Sequence, residues 1–142
     1  MIKSIFLVSC VGKKQPYACK AMDLYVSDWF KKASQYARLN ADEWYILSAK
    51  YILVQPMDTI EPYDLTLTKM NIALRREWAD KVMLQLHPHL TPGNKITFLA
   101  GKTYREFLQP ALLQRGYSVN VPMNGFRIGE QLGWLKSRLN GG

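Results

Sequence analysis

Three carboxylates, Asp58, Glu61 and Asp64, fall within seven positions of one another in the stretch Ser48-Ala49-Lys50-Tyr51-Ile52-Leu53-Val54-Gln55-Pro56-Met57-Asp58-Thr59-Ile60-Glu61-Pro62-Tyr63-Asp64. Tyr51, Tyr63 and Lys50 stand beside them. Carboxylates near aromatic rings suit glycosidic chemistry, in which a negative charge stabilises an oxocarbenium-like transition state and a carboxylate deprotonates the attacking water. Tyrosines offer faces on which a base taken out of a helix can stack. Asp58 and Asp64 are therefore the expected catalytic acids or bases, although each also fits a turn or helix-capping residue. Glu130, in the segment 122–131, is either a further acid or base or a first-turn residue that complements a helix dipole. Lys50 or Lys102 would act as a Schiff-base nucleophile if a pocket lowered its pKa.

Other chemistries find less support in the residue pattern. Gly101-Lys102-Thr103 and Gly12-Lys13 resemble the end of a phosphate-binding loop, but the glycine needed five residues earlier is replaced by Ile96 and Leu7. There is no G-x-G-x-x-G fingerprint and no serine in a G-x-S-x-G elbow. His87 and His89 flank Pro88 at an expected helix end and read as solvated loop residues, so no metal site is expected. Cys10 and Cys19 are too few for a disulfide framework and read as reduced thiols. No cofactor is expected.

The chain of 142 residues carries a formal net charge of +8, an argument for a polyanionic partner. Residues 1–40 hold seven basic and two acidic side chains, residues 41–94 five and seven, and residues 95–142 seven and two. Two basic thirds thus bracket an acidic middle. A fold that joins the outer thirds would surround a carboxylate-bearing loop with cations able to grip nucleic-acid phosphates; a generally basic surface is the plainer alternative. No apolar run reaches membrane-spanning length and no secretory signal is evident, which makes a cytoplasmic location the default expectation.

The elements that must position these residues alternate in type along the chain. Strands are expected at Ser4 to Val8, Trp44 to Leu47, Lys95 to Leu99 and Ser118 to Val121. Helices are expected at about Leu24 to Leu39, Asn71 to Leu86, Thr103 to Gly116 with Pro110 disturbing the middle, and Ile128 to Leu139. Thr103 and Glu106 match a capping box. The stretch Ser48 to Thr66, broken by Pro56 and Pro62, reads as one long functional loop. The pattern implies one α/β domain over residues 1–142, a three-layer sandwich around a four-stranded parallel sheet. Ligands of such sheets bind beyond the carboxyl ends of the strands. That rule gathers Ser9 to Lys14, Ser48 to Asp64, Gly101 to Arg105 and Pro122 to Gln131 into one site.

Several ordered motifs add a resemblance: Val8-Ser9-Cys10, Leu24-Tyr25, Trp44-Tyr45-Ile46-Leu47-Ser48-Ala49-Lys50, Ile60-Glu61-Pro62-Tyr63-Asp64, Phe98-Leu99-Ala100-Gly101-Lys102 with Tyr104-Arg105, and Ile128-Gly129-Glu130-Gln131-Leu132. Together they resemble a family of small uncharacterised proteins distantly related to the peroxide-stress protein YaaA. The resemblance implies a compact α/β domain like that of uracil-DNA glycosylases, with the Ser-Ala-Lys and Pro-Tyr-Asp segments on the active face. One departure stands out: where that family carries His-Gly after Ser-Ala-Lys, this chain has Tyr51-Ile52. Any acid or hydrogen-bonding role of that histidine is absent or passes to another group.

These readings converge on a DNA N-glycosylase for a modified or damaged base. Ser9, Lys13, Lys14, Ser48, Lys102, Arg105 and Arg127 are expected to hold the nucleic acid, and Tyr17, Tyr51, Tyr63 and Phe126 to stack on the base. Asp58, Asp64, Glu130 or Lys50 would serve catalysis. The alternatives are a non-catalytic nucleic-acid-binding stress protein and an enzyme acting on the N-glycosidic bond of free nucleosides or nucleotides.

Overall fold

The computed structural model describes residues 3–10 and 12–140; Val11, within the Ser9-to-Lys14 segment of the expected site, lies outside them. The chain starts with strand β1 (Ser4–Ser9), an uninterrupted apolar run because helices cover it on both faces. Its side chains alternate as a strand requires: Ile5 and Leu7 enter one core, while Phe6 and Val8, followed by Cys10 just past the strand, enter the other. After a crossing segment come the short strand β2 (Cys19–Lys20), the single helical turn α1 (Ala21–Leu24) and helix α2 (Asp28–Asn40). The expected helix from Leu24 is thus two pieces, because Tyr25 leaves α1 in an extended conformation and Ser27 caps a new start by accepting from the Phe30 amide.

Strand β3 (Glu43–Ser48) pairs parallel with β1. The chain then turns back as β4 (Ile52–Val54), antiparallel to β3, and continues to β5 (Thr59–Ile60), which pairs with β2 in a two-stranded antiparallel ribbon. Helix α3 (Ile72–Leu86) follows, capped by the Asn71 side chain on the Leu74 amide. Strand β6 (Lys95–Leu99) pairs with the other side of β1. Next come α4 (Lys102–Arg105), α5 (Leu108–Gln114), β7 (Ser118–Asn120) parallel to β6, and α6 (Ile128–Asn140). The break between α4 and α5 puts Pro110 in the first turn of α5, where its missing N–H leaves no helical bond unmade. Glu106 does not close a capping box with Thr103; it pairs with Arg75 of α3 at 2.6 Å.

The expected four-stranded, all-parallel, glycosylase-like sheet is corrected by this topology. The sheet has five strands in the order β4-β3-β1-β6-β7 and is mixed, and the β2-β5 ribbon stands apart from it. Ile52-Leu53-Val54 lies in what read as an irregular loop; its β-branched residues complete the edge of the sheet instead. α2 and α6 cover one face of the sheet, where Trp29, Phe30, Ala33 and Leu135 are buried. α3 and α5 cover the other through Trp78, Val82, Leu86, Leu108 and Leu112.

Candidate functional site

At the carboxyl end of β3 the Ser48 side chain is fully buried and makes two contacts. Its Oγ accepts from the Tyr51 amide at 3.0 Å, which tightens the turn into β4, and donates to the phenol oxygen of Tyr63 at 2.8 Å. The Ser48 carbonyl accepts from Trp78 Nε1 at 2.9 Å. The Tyr63 oxygen also lies 2.8 Å from the Tyr25 hydroxyl and 3.2 Å from Cys10 Sγ. With Ser48 donating into Tyr63, every hydroxyl proton is used when Tyr25 donates to Tyr63 and Tyr63 donates to the thiol. Burial, with the neighbouring Cys10 thiol adding to it, pushes Tyr25 and Tyr63 above the ordinary tyrosine range, and the same causes raise Tyr104. These phenols stay protonated and act as hydrogen-bonding groups.

Residue 52 turns the chain at this place. Ile52 has a φ of 73°, a left-handed conformation that a β-branched residue rarely adopts. It sits beside the Ser48–Tyr63 contact, paired in the ladder with Ser48 itself.

Lys14 is fixed above this cluster by its backbone bridge to Tyr25 and by the Gln15 amide bonded to the Leu24 carbonyl. Its ammonium lies 4.6 Å from the centre of the Tyr63 ring and 5.8 Å from that of Tyr25, a cation–π arrangement. The tight path back from β1 requires Gly12, with φ 84° and the Ser27 side chain only 3.0 Å from where a Cβ would stand. Tyr51 packs edge-on against Tyr63, and Lys50 lies over Tyr51 at 5.3 Å.

Further along the same edge, a cavity of about 360 Å³ opens between the ends of β6 and β7 and the start of α6. Phe98, Met123 and Phe126 give it apolar walls, and Lys102, Arg105, Asn124 and Gln131 its polar groups. Gln131 is fixed from both ends: its oxygen accepts from Trp29 Nε1 at 2.8 Å and its nitrogen donates to the Phe126 carbonyl at 2.9 Å. The volume is at the lower end of the range for ligand pockets, roughly 300–1,000 Å³.

The residues singled out in the sequence distribute as follows. Lys13, Lys14, Lys50, Lys102, Arg105 and Arg127 all lie in segments that leave the carboxyl ends of the parallel strands. Ser9 is buried there too, and its hydroxyl has no hydrogen-bond partner among the described residues. Phe126 lines the cavity, and Tyr17 is exposed on the segment after β1. Asp58 closes a turn, its carboxylate accepting from the Gln55 amide at 3.0 Å and its carbonyl from the Ala21 amide at 2.7 Å. Glu130 accepts from the Arg127 amide at 3.1 Å, a helix-capping contact. Asp64 follows Tyr63, is exposed, and has no side-chain partner among the described residues. Cys10 and Tyr25 escaped the sequence reading of chemistry because their contacts with Tyr63 arise only when distant segments meet. Their signals in the sequence are the motifs Val8-Ser9-Cys10 and Leu24-Tyr25 and, for Cys10, the position directly after β1. No group of three or more His, Cys, Asp or Glu among the described residues could hold a metal, and no described helix is long and apolar enough to cross a membrane.

Comparison with known proteins corrects the expected relationship. The chain is 28% identical to the uncharacterized protein YfjM of Bacillus subtilis over 98% of its own length and 94% of that protein's. No solved structure matches it. The resemblance to the peroxide-stress-related family and its glycosylase-like domain is therefore overturned: the motifs that suggested it belong to a different family. A family model covering residues 5–137 matches the chain, which belongs to the family of unknown function DUF6884.

Proposed function

We propose that this protein binds a nucleic-acid strand along the carboxyl edge of its sheet and cleaves the N-glycosidic bond of one of its bases. The observation that carries this reading is the pairing of fixed cations with aromatic faces on that edge, above all Lys14 at 4.6 Å from the Tyr63 ring. Lysine and arginine neutralise phosphates, while tyrosine faces stack bases without regard to sequence. Lys13, Lys14, Lys50, Lys102 and Arg127 would follow the backbone, and Tyr51, Tyr17 and Phe126 would offer stacking surfaces. Of the candidate acids Asp58, Asp64 and Glu130, Asp64 would be the one free to assist water attack, since Asp58 and Glu130 are committed to local amides. The hydroxyl cluster around Tyr63 would hold the aromatic floor rigid beneath the bound strand.

The experiment is mass spectrometry of small molecules released when the purified protein is incubated with DNA carrying normal, uracil, oxidised and phage-type modified bases. Release of a free base is expected and would identify the substrate. A second reading, binding without cleavage, is favoured by the local roles of Asp58 and Glu130. Salt-sensitive binding with no base released across the panel would establish that reading and overturn the first.

A further inference from the structure

Two partly buried arginines lie near the turns after β6, and their surroundings differ. Arg75 is neutralised: its Nε meets Glu106 at 2.6 Å and its Nη1 donates to the Met70 carbonyl. Arg105 is held by neutral acceptors alone. Its Nε donates to the Ala100 carbonyl at 3.2 Å, one terminal nitrogen to Gln109 at 3.4 Å and the other to Asn124 at 3.2 Å. Among the described residues no carboxylate pairs with it. A guanidinium has five N–H groups in a rigid plane, so three bonds fix its orientation and two donors are left over. Arg105 lines the 360 Å³ cavity beside Lys102, and no acidic residue lines that cavity.

A half-buried, oriented and uncompensated guanidinium has one natural complement, an anion with two oxygens in a plane. A second cation in the same wall favours a phosphate over a singly charged carboxylate. We infer that the cavity is a subsite for a single phosphate group. Arg105 receives two of its non-bridging oxygens, Lys102 adds a point charge, and Phe98 and Phe126 face the organic group that carries the phosphate. Only the source of that phosphate depends on the nucleic-acid reading: a strand would present a diester and a free nucleotide a monoester.

The test uses the whole chain and follows backbone amide resonances during titration with inorganic phosphate, a deoxynucleoside 5′-monophosphate and a short oligonucleotide. Inorganic phosphate is expected to shift amides of residues 101–105 and 124–127 saturably. Arg105→Gln should weaken that binding by at least about tenfold, and Arg105→Lys, which lacks the fork, by a smaller factor. Should Arg105→Gln fail to fold, Lys102→Gln, at an exposed position, should still weaken phosphate binding by about threefold. Shifts elsewhere, or phosphate binding unchanged in both variants, would overturn the inference. Oligonucleotide binding without phosphate binding overturns it and leaves the strand-binding reading intact. Phosphate and monophosphate binding without oligonucleotide binding upholds it and removes that reading.

Discussion

The Ser48 hydroxyl donates to the Tyr63 phenol across 2.8 Å, tying the end of β3 to a residue fifteen positions later. Between them the chain makes the β4 edge strand, the Gln55–Asp58 turn and the β5 half of the ribbon. The contact therefore closes the whole excursion, and Tyr25 and Cys10 join it from the other side of the site. Its geometry places the Tyr63 ring under Lys14.

Tyr63→Phe deprives the Ser48 and Tyr25 hydroxyls and the Cys10 thiol of a shared partner. Unfolding in urea should show a loss of about 2–3 kcal/mol. Tyr51→Phe removes only a long, exposed bond from the Tyr51 hydroxyl to the Glu61 carbonyl, so its loss should stay below about 1 kcal/mol. Equal losses would mean that the cluster around Tyr63 does not hold the segment.

Alkaline pH should act through the same tyrosines. Their folded pKa values are raised above the ordinary value of 10.0 by burial. The unfolded chain therefore releases these protons first, and the stabilisation they carry is full below pH 10 and lost as pH rises toward the folded values. The urea midpoint should be flat with respect to these groups from pH 8 to 9.5 and fall above pH 10. Each tyrosine contributes up to about 1.4 kcal/mol per pH unit, so Tyr63→Phe should make the fall shallower. A midpoint that rose above pH 10 would contradict this.

Ile52 offers a test of backbone strain. Glycine at position 52 relieves a left-handed conformation that costs about 1–2 kcal/mol, and forfeits a half-buried side chain and some chain stiffness of similar size. Ile52→Gly should change stability by less than about 1 kcal/mol, whereas Leu53→Gly, next along β4 with an ordinary φ, should cost about 2 kcal/mol. If both substitutions cost the same, Ile52 is not strained.

Much of the fold is legible in the sequence because it rests on local pattern. The apolar runs of β1, β3 and β6 mark central strands, and Ser27 and Asn71 cap the helices whose periodicity announces them. The edge strand β4 is not legible. Its turn uses Ile52 at φ 73° rather than a glycine, so the usual signal for a hairpin is missing, and Pro56 soon after suggests a loop. The candidate site is legible as a set of strand ends and basic residues. The aromatic positions could be read as stacking faces, but the buried hydroxyl of Tyr63, and its partners Tyr25 and Cys10, depend on pairing across segments that no local spacing encodes.

The candidate acids Asp58, Asp64 and Glu130 separate by role. Asp64→Asn should reduce base release by at least about a hundredfold, the lower range for general acid–base catalysis, with little change in stability. Asp58→Asn and Glu130→Gln weaken a turn and a cap, and should each cost about 0.5–2 kcal/mol in stability while leaving turnover of the folded protein within about threefold. An Asp64→Asn variant with full activity would remove Asp64 from the mechanism.

Strand binding along the carboxyl edge is tested most directly by fluorescence anisotropy with a labelled oligonucleotide over a range of salt concentrations. Two triple variants with the same change in charge are compared: Lys14→Gln, Lys102→Gln and Arg127→Gln at the carboxyl edge, and Lys3→Gln, Lys95→Gln and Arg115→Gln near the amino ends of the strands. The carboxyl-edge variant should lose at least about tenfold in affinity and about two to three from the slope of log affinity against log salt, while the amino-edge variant stays within about threefold of the unmodified protein. Equal losses in the two variants, or no binding by the unmodified protein, would contradict the account.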